Sequence, residues 1–82
     1  MSKVEQQRSD ISECIRKSLD KYFRDLDGAK PNQIYDMVLH AVEKPMLHIV
    51  LREAGGNQTV AAEILGINRN TLRKKMQLHK IK

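Results

Sequence analysis

Between Ile34 and Leu51 the chain sets Ile34, Met37, Val38, Leu39, Ala41, Val42, Met46, Leu47, Ile49, Val50 and Leu51 in one stretch. On a helix these positions cover most of the circumference, and a helix apolar on most sides has to be covered on most sides. The chain has 82 residues, and a chain this short encloses a smaller fraction of its surface than a long one. The economical solution is a second copy: two chains paired along this helix, with the preceding helix packed outside to complete a bundle core. Asn32 is placed to cap the helix, and the Gly55-Gly56 break ends it after about Glu53. Pro45 falls inside and is expected to bend it, while two shorter helices broken at Lys44 are the alternative. A charge at Val42 or Val50 is expected to break the pair and unfold the chain together.

Upstream, Ile11, Ile15, Leu19, Tyr22, Phe23 and Leu26 recur at helical spacing, with Cys14 and Ser18 widening the stripe. This predicts a helix over 11–26, capped by Ser9 or Asp10 and stopped by Asp27-Gly28 and Pro31. The first ten residues are polar and aperiodic, and are expected to be mobile. Downstream, Asn57 can cap a helix from Gln58 to about Leu65, and Asn68 another from Arg69 to about Leu78. Gly66 lies between them, where a tight turn needs a residue tolerant of positive φ. The expectation is an all-α, four-helix chain forming a single domain: a mobile 1–10, dimerisation helices over 11–54 whose two copies intertwine, and a helix-turn-helix over 56–82.

The segment QTVAAEILGINRNTLRKKMQ has the layout that a helix-turn-helix requires. Ala62 is small where two helices cross, Gly66 makes the turn, and Ala61, Leu65, Ile67 and Leu72 are apolar where both helices meet a core. Lys75 departs from this pattern, since an apolar residue is common there; Met76 can take over that packing after a slight rotation. Leu72 and Met76 then point inward and leave Arg69, Asn70, Arg73 and Lys74 outside. Arg can pair with guanine in two places at once and Asn with adenine, so Arg69 and Arg73 are candidates to read base edges, with Asn68 assisting. Thr71, Lys74 and Lys75 are better placed for phosphates, which supply affinity without reading sequence. Asn57, Thr59 and the backbone donors that begin the preceding helix form a second phosphate seat. The charge distribution agrees: Lys and Arg balance Asp and Glu six to six over 1–27 and three to three over 28–55, but outnumber them six to one over 56–82. Clustered positive charge of this kind suits a polyanion.

Other function classes find little footing. No apolar run approaches the roughly 20 residues that span a bilayer, and MSKVEQQRSD lacks the apolar stretch of a secretory signal, so a cytoplasmic location is expected. The lone Cys14 has no internal disulfide partner and is expected to be a small buried apolar group. His40, His48 and His79 miss the i, i+4 spacing of a helical metal pair; His40 and His48 read as partly buried or surface residues of the long helix. There is no glycine-rich phosphate loop and no nucleophile with an obvious partner base. The chain is expected not to be an enzyme and to need no cofactor or metal.

The segments SLDKYFRDLDG, IYDMVLHAVEKPML, GNQT and GINRNTLRKK together resemble the family of the factor for inversion stimulation, Fis, over about residues 10–82; the last two segments are the most specific. The resemblance implies an all-helical homodimer of the bacterial nucleoid that organises DNA and regulates transcription, with RNA polymerase a candidate partner. It further implies binding of degenerate sites and bending of the duplex, because paired recognition helices sit too close for straight DNA; deformability then contributes to selection. Carried over by position, it implies DNA contact by Asn57, Thr59, Asn68, Arg69, Thr71, Arg73, Lys74 and Lys75. Gly55 stands where the family can be basic, and Gln77 and Leu78 replace lysines that touch flanking DNA, so weaker wrapping of the flanks is expected. Only about ten residues stand where the family has its mobile invertase-engaging arm, so the resemblance does not extend to invertase contact.

Two alternatives stand beside this reading. A similar helix-turn-helix closes enhancer-binding activators of the nitrogen-regulator type, but that domain comes as part of a longer chain, whereas this one starts at Met and carries a full two-helix dimer segment. The other is a helical module that docks a protein, its basic end incidental. Binding to duplex DNA that falls steeply with salt separates the DNA readings from apolar docking.

Overall fold

The computed structural model describes residues 2–82, in four helices: α1 (Lys3–Arg24), α2 (Ile34–Glu53), α3 (Gln58–Leu65) and α4 (Arg69–Leu78). There is no strand among the described residues, and no helix is long and apolar enough to cross a membrane. The architecture is all-α. Two compact units divide it, one ending at Asn32 and the other spanning Gln33–Lys82.

The first unit is α1 and the turn after it. The helix starts eight residues before Ile11, so Ser9 and Asp10 lie inside it, and the cap is Ser2, whose Oγ accepts from the Glu5 amide at 3.1 Å. Sequence periodicity misses this stretch because a solvated helix needs no apolar stripe. Lys, Glu, Gln and Arg are good helix formers, Glu5 sits at the positive end of the macrodipole, and Gln6 donates to Asp10 one turn on. The stop falls where expected: Asp27 and Gly28 both take positive φ, at 51° and 85°. A lone helix and its turn cannot enclose their own apolar side. No residue of α1 is buried, Ile11 and Phe23 remain half-exposed or more, and Cys14 is exposed, not buried as expected.

In the second unit, α2 runs unbroken through Pro45, which rules out the interruption at Lys44. Its N-cap is Gln33, not Asn32; Gln33 takes a left-handed φ of 54° and makes no side-chain capping bond. At the other end the Gly56 amide reaches back to the Leu51 carbonyl at 2.9 Å around Gly55, the wrapped turn that positive φ at Gly55 permits. Helix α3 packs against both α2 and α4. The core they share is Leu47 from α2, Ala61 and Ala62 from α3, and Leu72 and Met76 from α4. Val50, Leu51, Ala54, Leu65, Ile67 and Ile81 close around it. Met76 is buried and Lys75 is not, so the inward stripe rotates as the sequence suggests.

Leu47 is fully enclosed and Ile64 is 56% exposed, which makes them a matched test of this core. Leu47→Ala is expected to cost about 2–5 kcal/mol and Ile64→Ala under about 1 kcal/mol, read from urea unfolding. Equal losses would mean that the core has been misplaced.

Candidate nucleic-acid interface

Local capping chemistry sets the geometry of α3 and α4. Asn57 Oδ1 accepts from the Val60 amide at 3.1 Å, and Asn68 Oδ1 accepts from the Asn70 amide at 2.7 Å. Each cap satisfies a donor that the first helical turn leaves open, and each leaves the amide NH2 to donate elsewhere. Between the helices, Gly66 takes φ 74°, and the amides of Gly66 and Ile67 both return to the Ala62 carbonyl, at 2.9 and 3.1 Å. This turn carries the chain from α3 to α4 in three residues and directs Ile67 toward the core.

With Leu72 and Met76 buried, the opposite side of α4 faces solvent. Asn70, Arg73, Lys74 and Gln77 line one shallow surface depression, with Arg69 and Thr71 exposed in the same first turn. Asn57 and Thr59 are exposed at the start of α3, and Asn68 at the start of α4. No acidic side chain occurs on α4, and among the described residues none pairs with Arg69, Arg73 or Lys74. Arg69, Arg73 and Lys74 therefore leave uncompensated positive charge on the exposed side of α4. Among the described residues no cluster of His, Cys, Asp or Glu could hold a metal ion.

Lys75 is placed differently from the other basic residues of α4. Its Nζ donates to Glu43 Oε2 at 2.6 Å, with 35% of the lysine side chain and 14% of the glutamate side chain exposed. The other oxygen of the same carboxylate, Oε1, accepts from His79 Nε2 at 3.0 Å; an ionised carboxylate only accepts, so Nε2 is the protonated ring nitrogen. The His79 side chain is fully enclosed, its Nδ1 has no partner, and the ring of His40 lies tilted against it, 4.4 Å between centroids and 49° between planes. Sequence reasoning missed this group, although a signal was there: His79 continues the inward series of Leu72 and Met76, and Glu43 interrupts the apolar stretch of α2. Two polar residues on the inward side of one helix and an acid within an apolar segment need one another.

Comparison with known proteins follows the same outline. Residues 38–78 match the family described as bacterial regulatory protein, Fis family. The chain is similar to a protein of Ralstonia nicotianae named as a Fis-like DNA-binding protein, with 60% identity over 88% of this chain and 94% of the relative. It is similar to a protein of the same name from Neisseria meningitidis, with 59% identity over 85% of this chain and 89% of the relative. A more distant relative is the DNA-binding protein Fis of Glaesserella parasuis, 46% identical over 82% of this chain and 68% of its own length.

The Glu43 carboxyl is held below its ordinary value of 4.5, first by the hydrogen bond from Lys75 and then by that from His79, against a weaker opposing push from desolvation. A carboxylate depressed in the folded state contributes stability that is present above its unfolded value and lost as pH falls through the folded one. The melting temperature of the parent should therefore exceed that of Glu43→Gln at pH 7, and the gap should shrink as pH drops below about 4.5. A gap constant from pH 7 to pH 3 would show that the carboxylate's charge does not matter.

Proposed function

This chain belongs to the Fis family of bacterial regulatory proteins, and on that premise we propose that it binds double-stranded DNA as a homodimer and bends it. The observation that carries the reading is the acid-free, exposed face of α4, mounted on a turn and a core that hold it outward. The names of the relatives point the same way.

In this reading Arg69 and Arg73, with Asn68 and Asn70 beside them, address base edges in a major groove. Thr71 and Lys74 contact phosphate, as do Asn57, Thr59 and the open amides at the start of α3. Gly55, Gln77 and Leu78 put no positive charge toward the flanks, so wrapping of flanking DNA is weak. Selection rests on a few contacts together with the deformability of the site, which makes specificity low and fits a role in organising the bacterial nucleoid and regulating transcription.

Support for pairing comes from α2. Tyr35, Leu39, Val42, Met46 and Ile49, spaced three or four residues apart along one face of α2, are all exposed in the single chain. A large contiguous apolar surface on a small protein is costly in water, and a second α2 would cover it. Two α4 helices held by one dimer would then meet the duplex together.

Gel-shift titration on preferred and random duplexes tests the contact face. Arg69→Ala is expected to cost about 1–3 kcal/mol on a preferred site and to relax specificity, whereas Lys74→Ala should weaken all sequences alike and lower the salt slope by about one. Equal losses for both variants on both duplexes would reject the assignment. Sedimentation of Val42→Asp tests pairing: the variant should lose the dimer and its fold together. Val42 is the cleaner site, because Val50 packs against the core of its own chain. A folded monomer would show that no core is shared.

A further inference from the structure

His79 is the one polar residue that the described chain buries, and it lies outside the proposed contact face. The only hydrogen bond of its ring is to Glu43, and that carboxylate divides its two oxygens between His79 and Lys75. Lys75 in the last turn of α4 and His79, the C-cap of that helix, are one turn apart, roughly 6 Å along the axis, while His40 and Glu43 are three apart on α2 and approach from the same side. Helix α4 packs chiefly on α3, so these four side chains are a polar link between α4 and α2 that bypasses α3.

We infer that Glu43 is a positioning residue for DNA reading, and that Lys75 acts through it instead of on a phosphate. The inference rests on the DNA-binding reading above. Its ground is geometric. Contacts among Leu72, Met76 and Leu47 are non-directional, and aliphatic surfaces tolerate small rotations and slides of one helix over another. Charge-assisted hydrogen bonds are directional. A carboxylate gripped by two donors one turn apart fixes at once how far α4 is rotated and how steeply it lies against α2. Seclusion from water sharpens this, because the alternative hydrogen bonds that solvent would offer are missing around a fully enclosed imidazole. The ring of His40 lies tilted against that of His79, 4.4 Å between centroids, and adds a second contact from α2 beside the acid. The direction in which Arg69, Arg73 and Lys74 face is thus set relative to α2, the helix proposed to pair with its copy.

The test uses the full chain with Glu43→Gln and Lys75→Met, and Lys74→Ala as the phosphate-contact reference. Fluorescence anisotropy follows binding to a duplex that the parent selects from a random pool and to a scrambled duplex, over a series of salt concentrations at pH 7.5, with helix content checked by circular dichroism. Both Glu43→Gln and Lys75→Met are expected to stay helical and to lose about tenfold in preference for the selected duplex, with the salt slope of the parent. Lys74→Ala should lower that slope by about one and leave the preference nearly unchanged. A lower slope for Lys75→Met would make Lys75 a phosphate contact and overturn the inference. Parent-like preference in a folded Glu43→Gln would also overturn it; should that variant unfold, parent-like preference in Lys75→Met overturns it instead. A parent that ignores both duplexes at low salt would remove the DNA-binding reading and the inference with it, an outcome distinct from a parent that binds and variants that match it.

Discussion

Helices α3 and α4 can share so small a core only because α3 presents single methyl groups where they meet. Ala61 and Ala62 are both buried, and with them stand Leu47, Leu72 and Met76 and, among the described residues, no other buried apolar side chain. Larger residues at 61 or 62 would hold the helices apart and open Leu72 to water, while smaller ones would leave a gap that so few neighbours could not fill. Everything that faces outward on α4 inherits its direction from that contact. With Leu72 and Met76 fixed inward, Arg73 and Lys74 have nowhere to go but out.

Packing of this kind leaves charge as the free variable of the surface. The acidic residues of the chain lie almost wholly before Gly56, and the sole later one, Glu63, is on α3. On α1, acids and bases neutralise one another along the helix, as in the Glu13–Arg16 and Lys21–Asp25 pairs, each of them solvated and individually worth little. On α4 only Lys75 is neutralised, from α2 by Glu43, a residue 32 positions earlier. The cationic face is therefore narrower than the basic sequence RKK suggests, and its membership is decided by a long-range contact.

This difference in range explains what the sequence made legible. The limits of α3 and α4 could be read because Asn57 and Asn68 accept from amides three and two residues on and the Gly66 amide returns to a carbonyl four residues back, and the composition of the motif core could be read because its small, turn and apolar positions are local as well. The exposed face of Arg69, Asn70, Arg73 and Lys74 followed from the same periodicity. The start of α1 could not be read, since its first turns hold no apolar stripe and depend on Ser2 and on helix propensity. Nor could the left-handed cap at Gln33, which no side-chain pattern announces. Cys14 was expected inside because its neighbours are apolar at helical spacing, yet an amphipathic stripe states only which side wants cover, not what supplies it. Glu43 and His79 stayed invisible as a pair because nothing local connects positions 36 apart.

After α4 the chain makes one more wrapped turn. Lys80 takes a left-handed φ of 56°, and the Ile81 amide returns to the Met76 carbonyl at 2.8 Å, which brings Ile81 against the core. A lysine in that conformation is strained where a glycine would not be, so the turn persists because what it seats is worth more than the strain. On the ribosome, this means that a nascent chain cannot close the compact unit that begins at Gln33 until synthesis has passed Ile81 and the segment has cleared the exit tunnel.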